Sequence, residues 1–173
     1  VITEKIAKDC LKEKTKGANF SYSNWMHSEF SALKLASTTD KGNIGEDFFA
    51  ELLRLMGYKN VTVVEGRRGD YDIAVKQEGK ECLIEVKVAT RDMHSNFQFN
   101  GVRHDTKYTH LFCLGISPNS IGYLIIPKKD LDEHKLVSMA KGSNATFKIT
   151  KKDNLLRSFD LFENDVKTVM NSL

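Results

Sequence analysis

The feature that most constrains this chain is a pair of short apolar runs, Ile73-Ala74-Val75 and Cys82-Leu83-Ile84, separated by Lys76-Gln77-Glu78-Gly79-Lys80. A turn-forming segment of that length between two strand-forming runs predicts an antiparallel hairpin. Charge interrupts its open end: Asp72 precedes the first run, and Glu85, thirteen residues later, follows the second with Lys87 close behind. Side chains alternate along a strand, so Glu85 and Lys87 share one face while Val86 takes the other. Pairing the strands brings Asp72 beside them, in an apolar sheet that tolerates charge only where it is paired or binds an ion.

Those side chains are the ones that hydrolysis of a phosphodiester needs. The reaction requires a nucleophile made from water and neutralisation of charge on the transition state, and a divalent cation supplies both. Mg2+ takes oxygen ligands and keeps several waters, so Asp72 and Glu85 suffice as anchors, with the Val86 carbonyl as a further candidate ligand and Mn2+ as a substitute ion. Lys87 is the candidate to orient or deprotonate the attacking water, or to stabilise the pentacovalent oxygens. The competing reading is an ordinary hairpin whose lysine pairs with a solvent-facing carboxylate.

At these residues the chain resembles the PD-(D/E)XK nuclease superfamily, with Asp72, Glu85 and Lys87 matching the motif's Asp, Glu and Lys. Tyr71 stands where the motif usually has Pro. Asp70 competes for the role of first carboxylate, and Asp72 is preferred because it directly precedes the apolar strand. A second match lies at 43–58, where Ile44, Phe48, Leu52 and Leu55 predict a helix closed by Gly57. Glu46 falls where the superfamily often carries a Glu that helps hold a metal or its waters. The alternative is that Glu46 only complements the positive helix N-terminus. A third match, Asn96-Phe97-Gln98-Phe99-Asn100 followed by apolar runs at 108–119 and 121–127, is similar to restriction-endonuclease-like members.

The resemblance spans 43–127. It implies an α/β chain of the α+β type, with a restriction-endonuclease-like core of a central mixed β-sheet flanked by helices. It also implies Mg2+-dependent cleavage of double-stranded DNA by a homodimer. The leading expectation is a type II restriction endonuclease whose two-fold symmetry matches a short palindromic site. A structure-selective repair or recombination nuclease, such as a Holliday junction resolvase, shares Glu46, Asp72, Glu85 and Lys87 and is the alternative. A DNA-binding module without catalysis is the third.

Basic residues flank the hairpin: Arg67 and Arg68 before it, then Arg91, His94, Arg103, His104 and Lys107 after it. Phosphate contacts from such residues set affinity and register. Arg103 suits guanine, and Asn96, Gln98 and Asn100 suit adenine, which makes the loop expected over 90–107 the seat of specificity. Gln98 points away from Phe97 and Phe99, leaving its amide free for a catalytic or DNA-orienting role. No pair of histidines has metal-ligand spacing.

At 173 residues, 40% apolar and 28% charged, the chain reads as one soluble nuclease domain over 1–173. A helical part is expected at 1–42, the catalytic core at 43–127 and a mixed C-terminal part at 128–173. Within these, helices are expected over 2–11 and 25–36, a loop at 17–24, a strand at 61–64, and a mixed C-terminal region made of 136–140, 146–149 and 155–173, whose last part, with Phe159, Phe162, Val166 and Val169, reads as a helix. No apolar run reaches membrane-spanning length and the start lacks a secretory apolar region, so the cytoplasm is the expected location, with no membrane partner. A net charge of +3 permits DNA binding without requiring it. Cys10, Cys82 and Cys113 lack pairing or metal spacing and read as reduced thiols, the latter two as packing.

Overall fold

The computed structural model describes residues 1–14, 25–64, 69–139 and 145–173. Arg67, Arg68 and the predicted loop at 17–24 lie outside the described residues. In chain order the elements are α1 (Glu4–Lys14), α2 (Ser31–Leu35), α3 (Thr38–Leu55), β1 (Asn60–Val63), β2 (Ile73–Gln77), β3 (Lys80–Thr90), β4 (Asn96–Val102) and β5 (His110–Ile116). They continue with β6 (Ile121–Pro127), β7 (Leu136–Ser138), β8 (Phe147–Lys152) and α4 (Phe162–Ser172).

The predicted hairpin is β2–β3, and its turn is tighter than the five residues expected. Glu78 and Gly79 alone make it, both at positive φ (52° and 78°), the geometry that a two-residue turn between right-twisted strands demands. Around the hairpin the sheet order is β1-β2-β3-β5-β6, with β3 and β5 parallel and the other neighbours antiparallel. A second, antiparallel sheet has the order β4-β8-β7.

Strand β5, His-Leu-Phe-Cys-Leu-Gly-Ile, is buried at every position, as a near-continuous apolar strand covered on both faces must be. Phe112, Leu114 and Ile116 pack toward the helices, while Leu111 and Cys113 pack toward Phe97, Phe99 and Ile149 of the small sheet. The same alternation puts Ile84 and Val86 of β3 on the helical side and Glu85 and Lys87 on the other. The expected mixed sheet flanked by helices is therefore present, and its second face carries a three-stranded sheet as well. The C-terminal part is built into both layers: β8 lies between β4 and β7, and Phe162 and Val166 of α4 join the helical-side core. At the outer edge of β6, Tyr123 and Arg157 exchange backbone hydrogen bonds of 3.1 and 2.9 Å.

Two helices differ from expectation. α3 starts at Thr38 rather than at 43, because Ser37 Oγ accepts the Asp40 N–H at 3.0 Å and caps it. Its buried stripe is Gly45, Phe48, Phe49, Leu52 and Leu53, and the predicted Leu55 is exposed. The stripe turns toward Phe49 because that ring packs on Phe112 and Phe162 at centroid separations of 5.4 and 5.8 Å. The helix predicted over 25–36 survives only as α2. Ser28 donates to the Pro118 carbonyl (2.5 Å) and accepts from the Phe30 N–H (3.0 Å), a pair of bonds that competes with helix. Trp25, Phe30 and Leu33 are buried in the core all the same.

Burial pushes the Cys82 thiol up to about 11 and that of Cys113 up to about 12, as expected of packing cysteines. No helix among the described residues is long and apolar enough to cross a membrane.

Candidate active site

The β2–β3 register ends at the Ile73–Ile84 pair. One further bond, Asp72 N–H to Ile84 O at 2.8 Å, holds the chain, and then the Asp72 side chain takes over: its Oδ2 accepts the Val86 N–H at 2.7 Å. Asp72 thus closes the ladder with one oxygen, and among the described residues its Oδ1 has no hydrogen-bond partner. A strand residue's N–H and C=O point to the same side, so the Val86 carbonyl projects toward Asp72, where β2 has already diverged. On the face away from the helices, Lys87 Nζ donates to Glu85 Oε1, and both side chains are largely buried, at 18% and 12% exposure.

Glu46 arrives by another route. A Cβ on Gly45 would lie 2.2 Å from Val88 Cγ2 and 3.2 Å from Val86 Cγ1, so the missing side chain is what lets α3 rest on β3. That contact brings Glu46 to the same wall as Asp72 and Lys87. Glu46 lies about two turns inside the helix, beyond the reach of the N-terminal dipole to which the alternative reading assigned it.

The wall separates two clefts. One, of about 390 Å3, is bordered by Lys41, Glu46, Asp72, Lys87, Gln98 and Asn100. The other, of about 550 Å3, is bordered by Glu46, Asp72, Glu85, Lys87, Arg103 and Thr106. Thr106 Oγ1 is buried without a partner among the described residues.

Crowding of carboxylates shows in their acidities. Glu46 is pushed up to about 7, first by burial, then by Asp72, Asp47 and Glu85, with Lys87 opposing. Asp72 is raised by burial, partly offset by the Val86 N–H and Lys87. Glu85 is also raised, mainly by burial, with Lys87 opposing. Three acids and one ammonium make a site short of positive charge, which a cation relieves. Among the described residues no three carboxylate, imidazole or thiolate groups converge on one point. The donors available are hard oxygens, few in number, with open cleft beside them. That set fits Mg2+, which needs only one or two carboxylates and retains its waters.

A raised carboxylate pKa has a stability signature. Stability from Glu46 is fully present below its ordinary pKa near 4.5 and is lost as pH rises through about 7. His110 and His134, both pushed down by burial, tilt the curve the other way over the same range. The expected result is therefore a difference: in chelator, the Tm advantage of Glu46→Gln over the parent protein grows between pH 5 and 8. Thermal unfolding across that range checks it, and a constant difference would mean that Glu46 ionises normally.

The remaining sequence-predicted residues divide. Gln98 and Asn100 border the first cleft and Arg103 the second, its guanidinium held by Asp105 at 3.0 and 2.9 Å. Asp70 pairs with Lys107 at 2.9 Å and borders neither cleft, which favours Asp72 as the first carboxylate. Arg91 pairs with Asp153 at 3.1 Å and ties the end of β3 to the segment after β8, outside both cleft walls. His104 stands edge-on to Phe147, 5.1 Å between centroids. His94 is exposed in the turn before β4, and Asn96 opens that strand with its N–H on Asp92. Sequence reasoning missed Lys41 on the first cleft. It also missed Asp92 and Lys148, which hold the Gln98 amide at 3.1 and 3.2 Å. The alternation in Phe147–Lys152 signals that Lys148 faces outward, but not what it meets fifty residues away.

No family model and no curated protein matches the chain. Among solved structures it is similar to a bacterial homing endonuclease, I-Ssp6803I, with a TM-score of 0.48 and 17% identity, over 80% of this chain and 94% of that one. At that level of likeness only this chain's own side chains speak to its chemistry.

Proposed function

We propose that this chain is a DNA endonuclease that hydrolyses phosphodiester bonds with a divalent cation, Mg2+ or Mn2+, held by Asp72, Glu85 and the Val86 carbonyl. The observation that carries this reading is the gathering of Glu46, Asp72 and Lys87 on one wall shared by two open clefts, with Glu85 paired to Lys87. Such a wall repels a phosphate backbone until a cation is present. When bound, the cation supplies Lewis acidity and neutralises charge on the phosphoryl oxygens.

The chain's own groups do the rest. Lys87, next to Glu85, holds the attacking water or donates to the oxygens on which charge develops. Glu46 holds water from the helix side. Lys41 and Arg103, one on each cleft, stand where the phosphates on either side of the scissile bond pass. The finer reading is a type II restriction endonuclease, supported by the amides of Gln98 and Asn100 beside the site. The described residues of one chain carry one such site, so cutting both strands of a duplex takes a homodimer.

The test is incubation of a plasmid and a matched four-way junction with Mg2+, with and without excess chelator. Discrete plasmid fragments that vanish with chelator are expected. Cutting confined to the junction would reassign the chain to the resolvase class, and binding without cutting of either substrate would sink the enzyme reading.

A further inference from the structure

We infer that the outward face of the β4–β8 ribbon reads base edges in the major groove, with Gln98, held from both ends by Asp92 and Lys148, as its adenine-reading residue. This rests on the endonuclease reading above and names how that site selects its DNA.

Directly paired residues of an antiparallel ribbon share a face. The pairs here are Asn96 with Lys152 and Gln98 with Thr150, and the intervening Phe97, Phe99 and Ile149 are buried beneath. The outward side chains are thus Asn96, Gln98 and Asn100 on β4, and Lys148, Thr150 and Lys152 on β8. All are polar, none is acidic, and two are ammonium groups. β7 pairs with β8 only at 147–149, so around Gln98–Thr150 and Asn96–Lys152 the sheet narrows to a two-stranded ribbon, which has the width of the major groove. The face also runs into the candidate active site, since Gln98 and Asn100 border the cleft that holds Asp72 and Lys87. At that junction the ladder slips between Phe99 and Val102, and Gly101 takes a φ of +74°, a bulge that bends β4 where it meets the cleft.

Gln98 is not an ordinary solvent-facing amide. Its Nε2 donates to Asp92 Oδ2 at 3.1 Å, and its Oε1 accepts from Lys148 Nζ at 3.2 Å. A carboxylate only accepts and an ammonium only donates, so the two partners fix which end of the amide is which. Among the described residues, one N–H and one lone pair of the amide are left without a partner. Adenine offers N7 as acceptor and the N6 amine as donor in the major groove, the complement of that pair. Asp92 is itself immobilised, its Oδ1 accepting the N–H groups of His94 and Asn96 at 2.8 and 2.9 Å. The reader is therefore ordered before DNA arrives, which reduces the cost of ordering it on binding. Asp92 and Lys148 act through Gln98 and are positioning residues. Lys152, further along the face, meets phosphate.

The experiment is cleavage of a random-sequence duplex library in Mg2+, with sequencing of the cut ends, for the parent protein, Gln98→Ala, Lys148→Ala, Lys148→Arg and Lys152→Ala. The parent is expected to favour A·T over the other pairs at one position by about 5- to 150-fold. Gln98→Ala and Lys148→Ala lose most of that preference at that position alone, and Lys148→Arg recovers part of it. Lys152→Ala weakens cutting of all sequences alike and lowers the salt slope by about one. Equal slowing at every sequence in Gln98→Ala, with the preference intact, would overturn the inference and make Gln98 catalytic. Preference-free cutting by the parent would also overturn it, while leaving the endonuclease standing. A parent protein that cuts no DNA would overturn both.

Discussion

Asp72→Asn is expected to lose Mg2+-dependent cleavage by about 10^2- to 10^4-fold while binding duplex DNA as well as the parent protein, or better. The substitution is chosen because it separates charge from structure. Asp72 closes the β2–β3 ladder through the Val86 N–H, and an Asn carbonyl accepts that same bond, so the strand ends stay in place. What disappears is the negative charge that a cation needs and a phosphate avoids. Lys87→Ala tests the other half of the site. It should cripple turnover to a similar degree, and it also strands a mostly buried Glu85 without its ammonium partner, so a modest loss of stability accompanies the loss of rate. Single-turnover cleavage measured beside equilibrium binding distinguishes the two kinds of defect. Normal cutting by Asp72→Asn together with an inactive Asp70→Asn would move the first carboxylate to Asp70, despite the pairing of that residue with Lys107.

The second large effect belongs to a residue that touches no substrate. Alanine is better than glycine inside a helix by about 1 kcal/mol, so Gly45→Ala on an exposed helix would stabilise. Here the new methyl would stand 2.2 Å from Val88 Cγ2, on a β-branched side chain with little rotamer freedom. Overpacking of this kind costs about 1–3 kcal/mol and is relieved by lifting α3 from β3. That movement carries Glu46 away from Asp72, and a displacement of about 1 Å at a reacting centre costs about 100-fold in rate. Gly45→Ala is therefore expected to lower both Tm and cleavage, and the double variant Gly45→Ala/Val88→Ala to restore much of each. A stabilised, fully active Gly45→Ala would show that the approach of α3 to β3 is not limited by this contact.

How much of this was legible in the chain depended on distance along it. The hairpin was, because its turn and both strands lie within a few residues of one another, and alternation alone put Glu85 and Lys87 on one face. The start of α3 was also written locally, in Ser37 followed by Asp40, but the apolar pattern drew attention to a later boundary. The helix over 25–36 failed for a tertiary reason: Ser28 is claimed by Pro118, ninety residues away. The basic residues were visible, but not the acids that engage several of them, Asp153 for Arg91, Asp105 for Arg103 and Asp70 for Lys107. A sequence shows which side chains can bind DNA and not which are already occupied. The placement of Glu46 was legible as a position in a motif, while its physical cause, the bare Cα of Gly45 against Val88, needed the packed structure.

The pair of backbone bonds between Tyr123 and Arg157 decides how this molecule can meet a copy of itself. Along β6, every second residue turns its peptide groups outward, away from β5; Tyr123 is one of them, and Pro127 another. Arg157 occupies the first, and Pro127 has no N–H to offer. That border of the sheet is obstructed at Tyr123 by a plug and at Pro127 by a missing donor, as edges in soluble proteins often are. Two copies working on one duplex would meet elsewhere on the surface, not by running their five-stranded sheets together through β6.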